Sequence, residues 1–164
     1  MKYLFSIIAP FAVLLFGLTG CRDSVNRAQN STSQSSQSSH EHAPPHGGTA
    51  VVLGREAYHR EFVLDGPAGA LTAYVLDGHM EKFIRLSAPS FIVVAQAGGS
   101  DETLIFQAVA SSATGETIGD TSQFMTQAEW LKHTREFDAV LMAITIRDRT
   151  FTNIAFNFPK GNDR

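Results

Sequence analysis

Between Thr49 and Phe158, apolar residues recur in short runs, often alternating with polar ones and separated by clusters of Gly, Pro, Ser and Asp. Alternation with a period of two puts one side of an extended chain in a core and the other in water, so the pattern is that of antiparallel strands. It predicts strands over 49–53, 58–65, 71–76, 83–86, 91–96, 103–109, 138–146 and 150–158. Turns fall at Gly66-Pro67-Ala68-Gly69, at Gly98-Gly99-Ser100-Asp101 and between Gly115 and Asp120. One short helix is predicted near 123–133, where Phe124, Ala128 and Leu131 stand at helical spacing. The expected fold class is mainly β: an antiparallel β-sandwich of Ig-like or Greek-key type, forming a single domain over 46–160. Within it, 138–146 is nearly continuously apolar, as expected of a strand covered on both faces. Phe151, Ile154, Phe156 and Phe158 add core bulk.

Ahead of the domain the pattern changes twice. Met1-Lys2 leads into an apolar run from Tyr3 to Leu18, broken only by Ser6 and Pro10, which is shorter than the ~20 residues of a membrane-spanning helix. A basic start, a short apolar stretch and small residues before a break describe a cleaved leader over 1–20. The break, Leu18-Thr19-Gly20-Cys21, looks like a bacterial lipobox, which makes Cys21 the lipidation site and the membrane the first partner. A bacterial envelope location with the domain in the periplasm follows. Arg22 stands where an aspartate would retain a lipoprotein in the inner membrane, so the outer membrane is expected.

Residues 21–45 read as a tether. Up to Ser39 they are mostly Ser, Gln, Asn and Thr, a composition that buries too little apolar surface to offset ordering entropy. At ~5–6 Å × √n, a flexible chain of this length reaches roughly 25 Å.

Composition narrows the function classes. The net charge is −3, and removal of Lys2 with the leader makes it one unit more negative, so a nucleic-acid surface is not expected. Cys21 is the only cysteine, leaving the domain no internal disulfide. Neither a Gly-x-Ser-x-Gly turn nor a His-Glu-x-x-His helix is present, and nothing points to an organic cofactor, so the chain is not expected to be an enzyme.

Histidine is the remaining chemistry. Five of the six histidines lie between His40 and Glu81. His40, His42 and His46 sit in the Pro/Gly-rich end of the tether, a composition that suits metal binding and equally a solvated linker. His59 and His79 lie on or beside strands, near Glu61 and Asp77. In the simplest hairpin around 66–70, Asp65 pairs with Leu71 and His59 with Asp77. His59, Glu61 and Asp77 then share a face that His79 can join. Imidazoles with carboxylates suit a Zn or Cu ion. The same histidines can also be ordinary strand and turn residues.

The run from His46 to Glu81 carries a His-Gly-Gly opening, a Leu-Gly turn, a His-x-Glu strand and a Gly-x-Leu-x-x-Tyr-Val-Leu-Asp strand. In these it resembles the small periplasmic domain at the N-terminus of some heavy-metal efflux adaptors of the resistance-nodulation-division systems, and free-standing lipoproteins bearing that domain. The resemblance implies a metal-handling role for His46, His59 and His79, with metal-efflux components as partners. Two readings follow. One is a lipid-anchored protein that captures, buffers or hands over Zn or Cu, with Asp77, Glu61, His40 and His42 as secondary ligand candidates. The other is a structural or protein-interaction β-sandwich whose histidines are incidental.

Overall fold

The computed structural model describes residues 43–163. The leader, Cys21, most of the tether, His40 and His42 lie outside the described residues.

Eight strands form: β1 (Thr49–Leu53), β2 (Tyr58–Asp65), β3 (Ala70–Asp77), β4 (Ser90–Ala97), β5 (Ser100–Ala108), β6 (Gln123–Gln127), β7 (Phe137–Ile146) and β8 (Arg149–Phe158). The fold is mainly β and antiparallel, and the strands make one sheet in the order β1-β2-β3-β6-β5-β4-β7-β8. The sheet curls until its two edges approach. The turn after β8 straps across the open edge of β1, where the Asn162 side chain accepts the Val52 N–H at 2.7 Å and donates to the Val52 carbonyl at 3.2 Å. Thr49 Oγ1 donates to the Pro159 carbonyl beside it. An amide side chain thus supplies the donor and acceptor that a ninth strand would bring.

Inward-facing aromatics tie the opposite walls together. Phe62 stacks on Phe156 at 4.9 Å and meets Phe106 edge-on, Phe106 stacks on Phe91 at 4.7 Å, and Phe91 meets Phe124 edge-on. Burying each ring contributes ~1.5–3 kcal/mol, and the offset and edge contacts add to it.

Three local expectations change. The predicted helix near 123–133 is mostly strand. Residues 123–127 form β6, with Phe124 and Thr126 inward and Met125 and Gln127 outward, and only Glu129–Lys132 make a 3₁₀ turn. Spacings of four and three put Phe124, Ala128 and Leu131 on one helical face, but β6 is the strand that joins β3 to β5. Residues 83–86 make only isolated bridges, Leu76 to Phe83 and Leu86 to Thr121, within the long crossing from β3 to β4. The apolar run of β7 is covered on one side only. Phe137, Ala139 and Leu141 point inward, then Ile144 and Ile146 do, while Met142 and Ala143 are exposed. Both β7 and β8 change faces here, next to Asn153 in the left-handed region (φ 53°). A continuous apolar run therefore reflects a change of face, with water on one side throughout.

The β2–β3 register differs by one residue from the simplest hairpin. The loop holds four residues, with Asp65 opposite Ala70, Asp65 Oδ1 accepting the Ala68 N–H and Gly69 in the left-handed region (φ 64°). Consequently Tyr58 pairs with Asp77, His59 with Leu76 and Glu61 with Tyr74. His59 and Glu61 keep a common face, and Asp77 moves to the other side of the pleat.

Candidate functional site

The outer face of β2 carries the site. Along β2 the inward positions are Tyr58, Arg60 and Phe62, which leaves His59 and Glu61 facing out. They are nevertheless buried, because the arm of residues 43–48 and the crossing after β3 lie over them. Glu61 is 0% exposed and His59 3%.

Glu61 is the anchor. Its Oε1 accepts the backbone N–H groups of His46 at 2.8 Å and Gly48 at 2.9 Å, and its Oε2 accepts from His46 Nδ1 at 2.7 Å. The His46 ring stacks on Tyr74 with centroids 4.0 Å apart and leans on Phe83 at 5.7 Å. A carboxylate can only accept, so His46 Nδ1 carries the proton and, in the neutral ring, Nε2 holds the free lone pair. The imidazole side chain remains 37% exposed. The Tyr74 phenol is pushed up, by burial first and then by the Glu61 and Glu116 charges.

The two glycines after His46 make this docking possible. Gly47 turns the arm in the left-handed region (φ 68°), its N–H bonded to the Pro44 carbonyl. Gly48 lies so close to β2 that a Cβ would sit 2.5 Å from the Phe62 carbonyl oxygen and 2.9 Å from Glu61 Cγ. The His-Gly-Gly sequence is thus a ring held by Glu61, a turn closed on Pro44, and a close approach whose N–H Glu61 accepts.

The other expected ligands are dispersed. His59 Nδ1 is 3.3 Å from the Asp77 carbonyl, which holds the ring down within the covered face. The Asp77 carboxylate caps a turn, its Oδ1 accepting the N–H groups of Glu81 and Lys82. Desolvation pushes that carboxyl up, but the backbone donors of residues 81, 82 and 79 and the Lys82 charge outweigh it and hold it below the usual range. His79 is exposed on the same turn, and His133 is exposed after the 3₁₀ turn. Among the described residues, no three His, Cys, Asp or Glu side chains converge on a point that could hold a metal ion. The structure unites His46 with Glu61 and does not bring His59, Asp77 or His79 to that pair.

Two buried charges were not singled out by the sequence reading. Arg60 is 0% exposed inside the barrel. Period two was the available signal, since Tyr58 and Phe62 flank it on the same face. Glu116 is buried beside Ser122, whose Oγ (2.6 Å) and N–H (3.0 Å) both donate to its Oε1; Thr114 Oγ1 donates to Oε2, and Arg85 lies 3.6 Å away. It ties the 111–122 excursion together and, through Arg85, to the crossing between β3 and β4.

No protein-family model matches the sequence, and neither a curated protein nor a solved structure matches it.

Proposed function

We propose that this protein is a lipid-anchored envelope module that captures a transition metal ion, Zn or Cu, as cargo for buffering or for hand-over to an efflux system. The observation that carries the reading is the contact between His46 Nδ1 and Glu61 Oε2 at 2.7 Å. A carboxylate on one ring nitrogen fixes the tautomer and the ring orientation and leaves the other nitrogen to ligate, which is how protein scaffolds prepare histidine for a metal. Glu61 is then the group that orients the ligand, and His46 Nε2 the donor. Further donors come from His40 and His42, six and four residues upstream in the sequence, or from the exposed His79. An incomplete shell of this kind suits transfer, because a receiving protein can supply the missing ligands. Lipidation at Cys21 keeps the module at the membrane, and the resemblance of 46–81 to efflux-adaptor domains agrees with that placement.

Calorimetric titration of the full chain with Zn²⁺ and Cu²⁺ tests the reading. His46→Ala is expected to weaken binding by at least about tenfold, and Glu61→Gln by about tenfold while keeping the ligand itself. Unchanged heats in His46→Ala would exclude His46 as a ligand.

A second reading, a protein-interaction module, has its own support. Ile92, Ile105, Met125 and Met142 leave 40–48% of their surface exposed across β4 to β7. Beside them runs a groove of about 660 Å³ along β4, β7 and β8. Capture of an envelope partner that is insensitive to chelator, and lost on Ile92→Asp, would favour it.

A further inference from the structure

Arg60 is the one described group whose chemistry is unanswered inside the protein. Its side chain points from β2 into the barrel, fully buried, and none of its three guanidinium nitrogens has a hydrogen-bond partner. No carboxylate pairs with it among the described residues. Glu61, its neighbour in sequence, faces the opposite side of the pleat, and Glu116 is engaged by Ser122, Thr114 and Arg85. What Arg60 does touch is aromatic: its guanidinium carbon lies 3.8 Å from the centre of the Phe91 ring and 5.3 Å from that of Phe124. Ring faces stabilise a cation in part, but they accept none of the five N–H groups of a guanidinium. Buried charges are otherwise paired, because an unpaired one carries a large desolvation cost.

The same two rings line a cleft. Phe91 and Phe124, with Leu86, Ala88, Ala143 and Ile144, border a space of about 220 Å³. Ser90 and Thr145 complete a lining that is mixed, apolar toward the rings and polar at these two hydroxyls, and Phe91 and Phe124 are common to the cleft and to the guanidinium. The combination is a planar bidentate donor beside a cleft that shares two of its rings, with no anion supplied by the described residues.

We infer that Arg60 is the headgroup anchor of a small-ligand site in the barrel, and that its ligand is an organic acid: a carboxylate on a short alkyl or aryl body. The carboxylate takes the guanidinium fork with two parallel hydrogen bonds, and the apolar body occupies the cleft between Phe91, Phe124 and Ile144. The volume suits a compact acid and excludes a long-chain or two-tailed lipid. The inference is independent of the His46 arm, which lies on the outer face of the same sheet.

Titration and thermal unfolding of the full chain with octanoate, octanol and inorganic phosphate test it. Octanoate is expected to bind saturably, raise the unfolding temperature and shift the Arg60 Nε–H resonance. Octanol lacks the charge and phosphate lacks the body, so each should bind at least about tenfold more weakly. Arg60→Met should weaken octanoate binding by about a hundredfold. Ile144→Trp fills the cleft while leaving the guanidinium in place, and should weaken it comparably. Equal octanoate affinity in the wild type and Arg60→Met overturns the inference. So does undiminished binding by Ile144→Trp, or the lack of saturable binding by the folded wild type.

Discussion

Replacing Arg60 with methionine is expected to make the ligand-free protein more stable. Burial lowers the guanidinium pKa from its ordinary value to about 9. At 1.36 kcal/mol per unit, that shift corresponds to a penalty of about 5 kcal/mol for holding the charge in the core. The Phe91 face at 3.8 Å returns about 2 kcal/mol, the upper range for a desolvated cation on a ring. A net gain of about 3 kcal/mol from Arg60→Met follows, within the ~1–4 kcal/mol found when buried charges give way to apolar residues of similar volume. For a domain of this size the gain raises the unfolding temperature by about 10 °C. The assay is urea unfolding of both proteins after refolding has freed them of small molecules. A pH series adds a second readout. With the folded-state pKa below the unfolded one, the unfolded chain binds more protons above pH 9, so wild-type stability rises there relative to the variant and the gap narrows. A variant less stable than wild type by more than about 1 kcal/mol, or a gap that stays constant up to pH 11, would show that the guanidinium has an internal partner and refute the argument.

Three further outcomes follow from the arm and the 111–122 excursion. Glu61→Ala removes the acceptor of three hydrogen bonds at once, and is expected to cost about 2–3 kcal/mol and to strip hydrogen-exchange protection from the His46 and Gly48 amides. Retained protection would mean that the stacking on Tyr74 alone holds the arm. Gly48→Ala forces a methyl against the Phe62 carbonyl, so it should destabilise by about 2 kcal/mol in urea unfolding, whereas Gly47→Asn, at a left-handed position open to solvent, should cost less than about 1 kcal/mol. Burial pushes the Glu116 carboxyl up, but the two Ser122 donors, Thr114 and Arg85 together hold it below the usual range. Its folded form therefore binds fewer protons than the unfolded chain, and its contribution is intact at neutral pH and lost as the pH falls through and below the ordinary carboxylate range. Glu116→Gln should flatten the acid side of the stability curve; an unchanged slope would remove Glu116 from that account.

Strand positions were legible because they are set by local alternation, which packing then confirms. β1 and β2 begin and end where the pattern places them. β6 was not legible, because five residues around Phe124 satisfy a helical and an extended spacing equally, and only their partners β3 and β5 decide between them. The hairpin register turned on a single residue, Ala70, which joins the ladder instead of the loop. That one step moved Asp77 off the face of His59. The pairing of His46 with Glu61 joins residues 15 apart through a turn at Gly47, geometry that no periodicity encodes. The His-Gly-Gly motif marked the place without disclosing the partner. Arg60 was readable in principle, since its parity matches Tyr58 and Phe62, but a charged residue in a strand ordinarily signals the wet side.

The Asn162 strap makes completion of the barrel a late event. Val52 and Asn162 are 110 residues apart, so the margin of the first strand stays unpaired until nearly everything after it has emerged and folded. During that interval the naked backbone of 49–53 is a template onto which a second nascent copy can add its own strand. Shortening the chain after Phe158 should therefore yield dimers and higher aggregates joined through residues 49–53, with the interior packing of each copy intact.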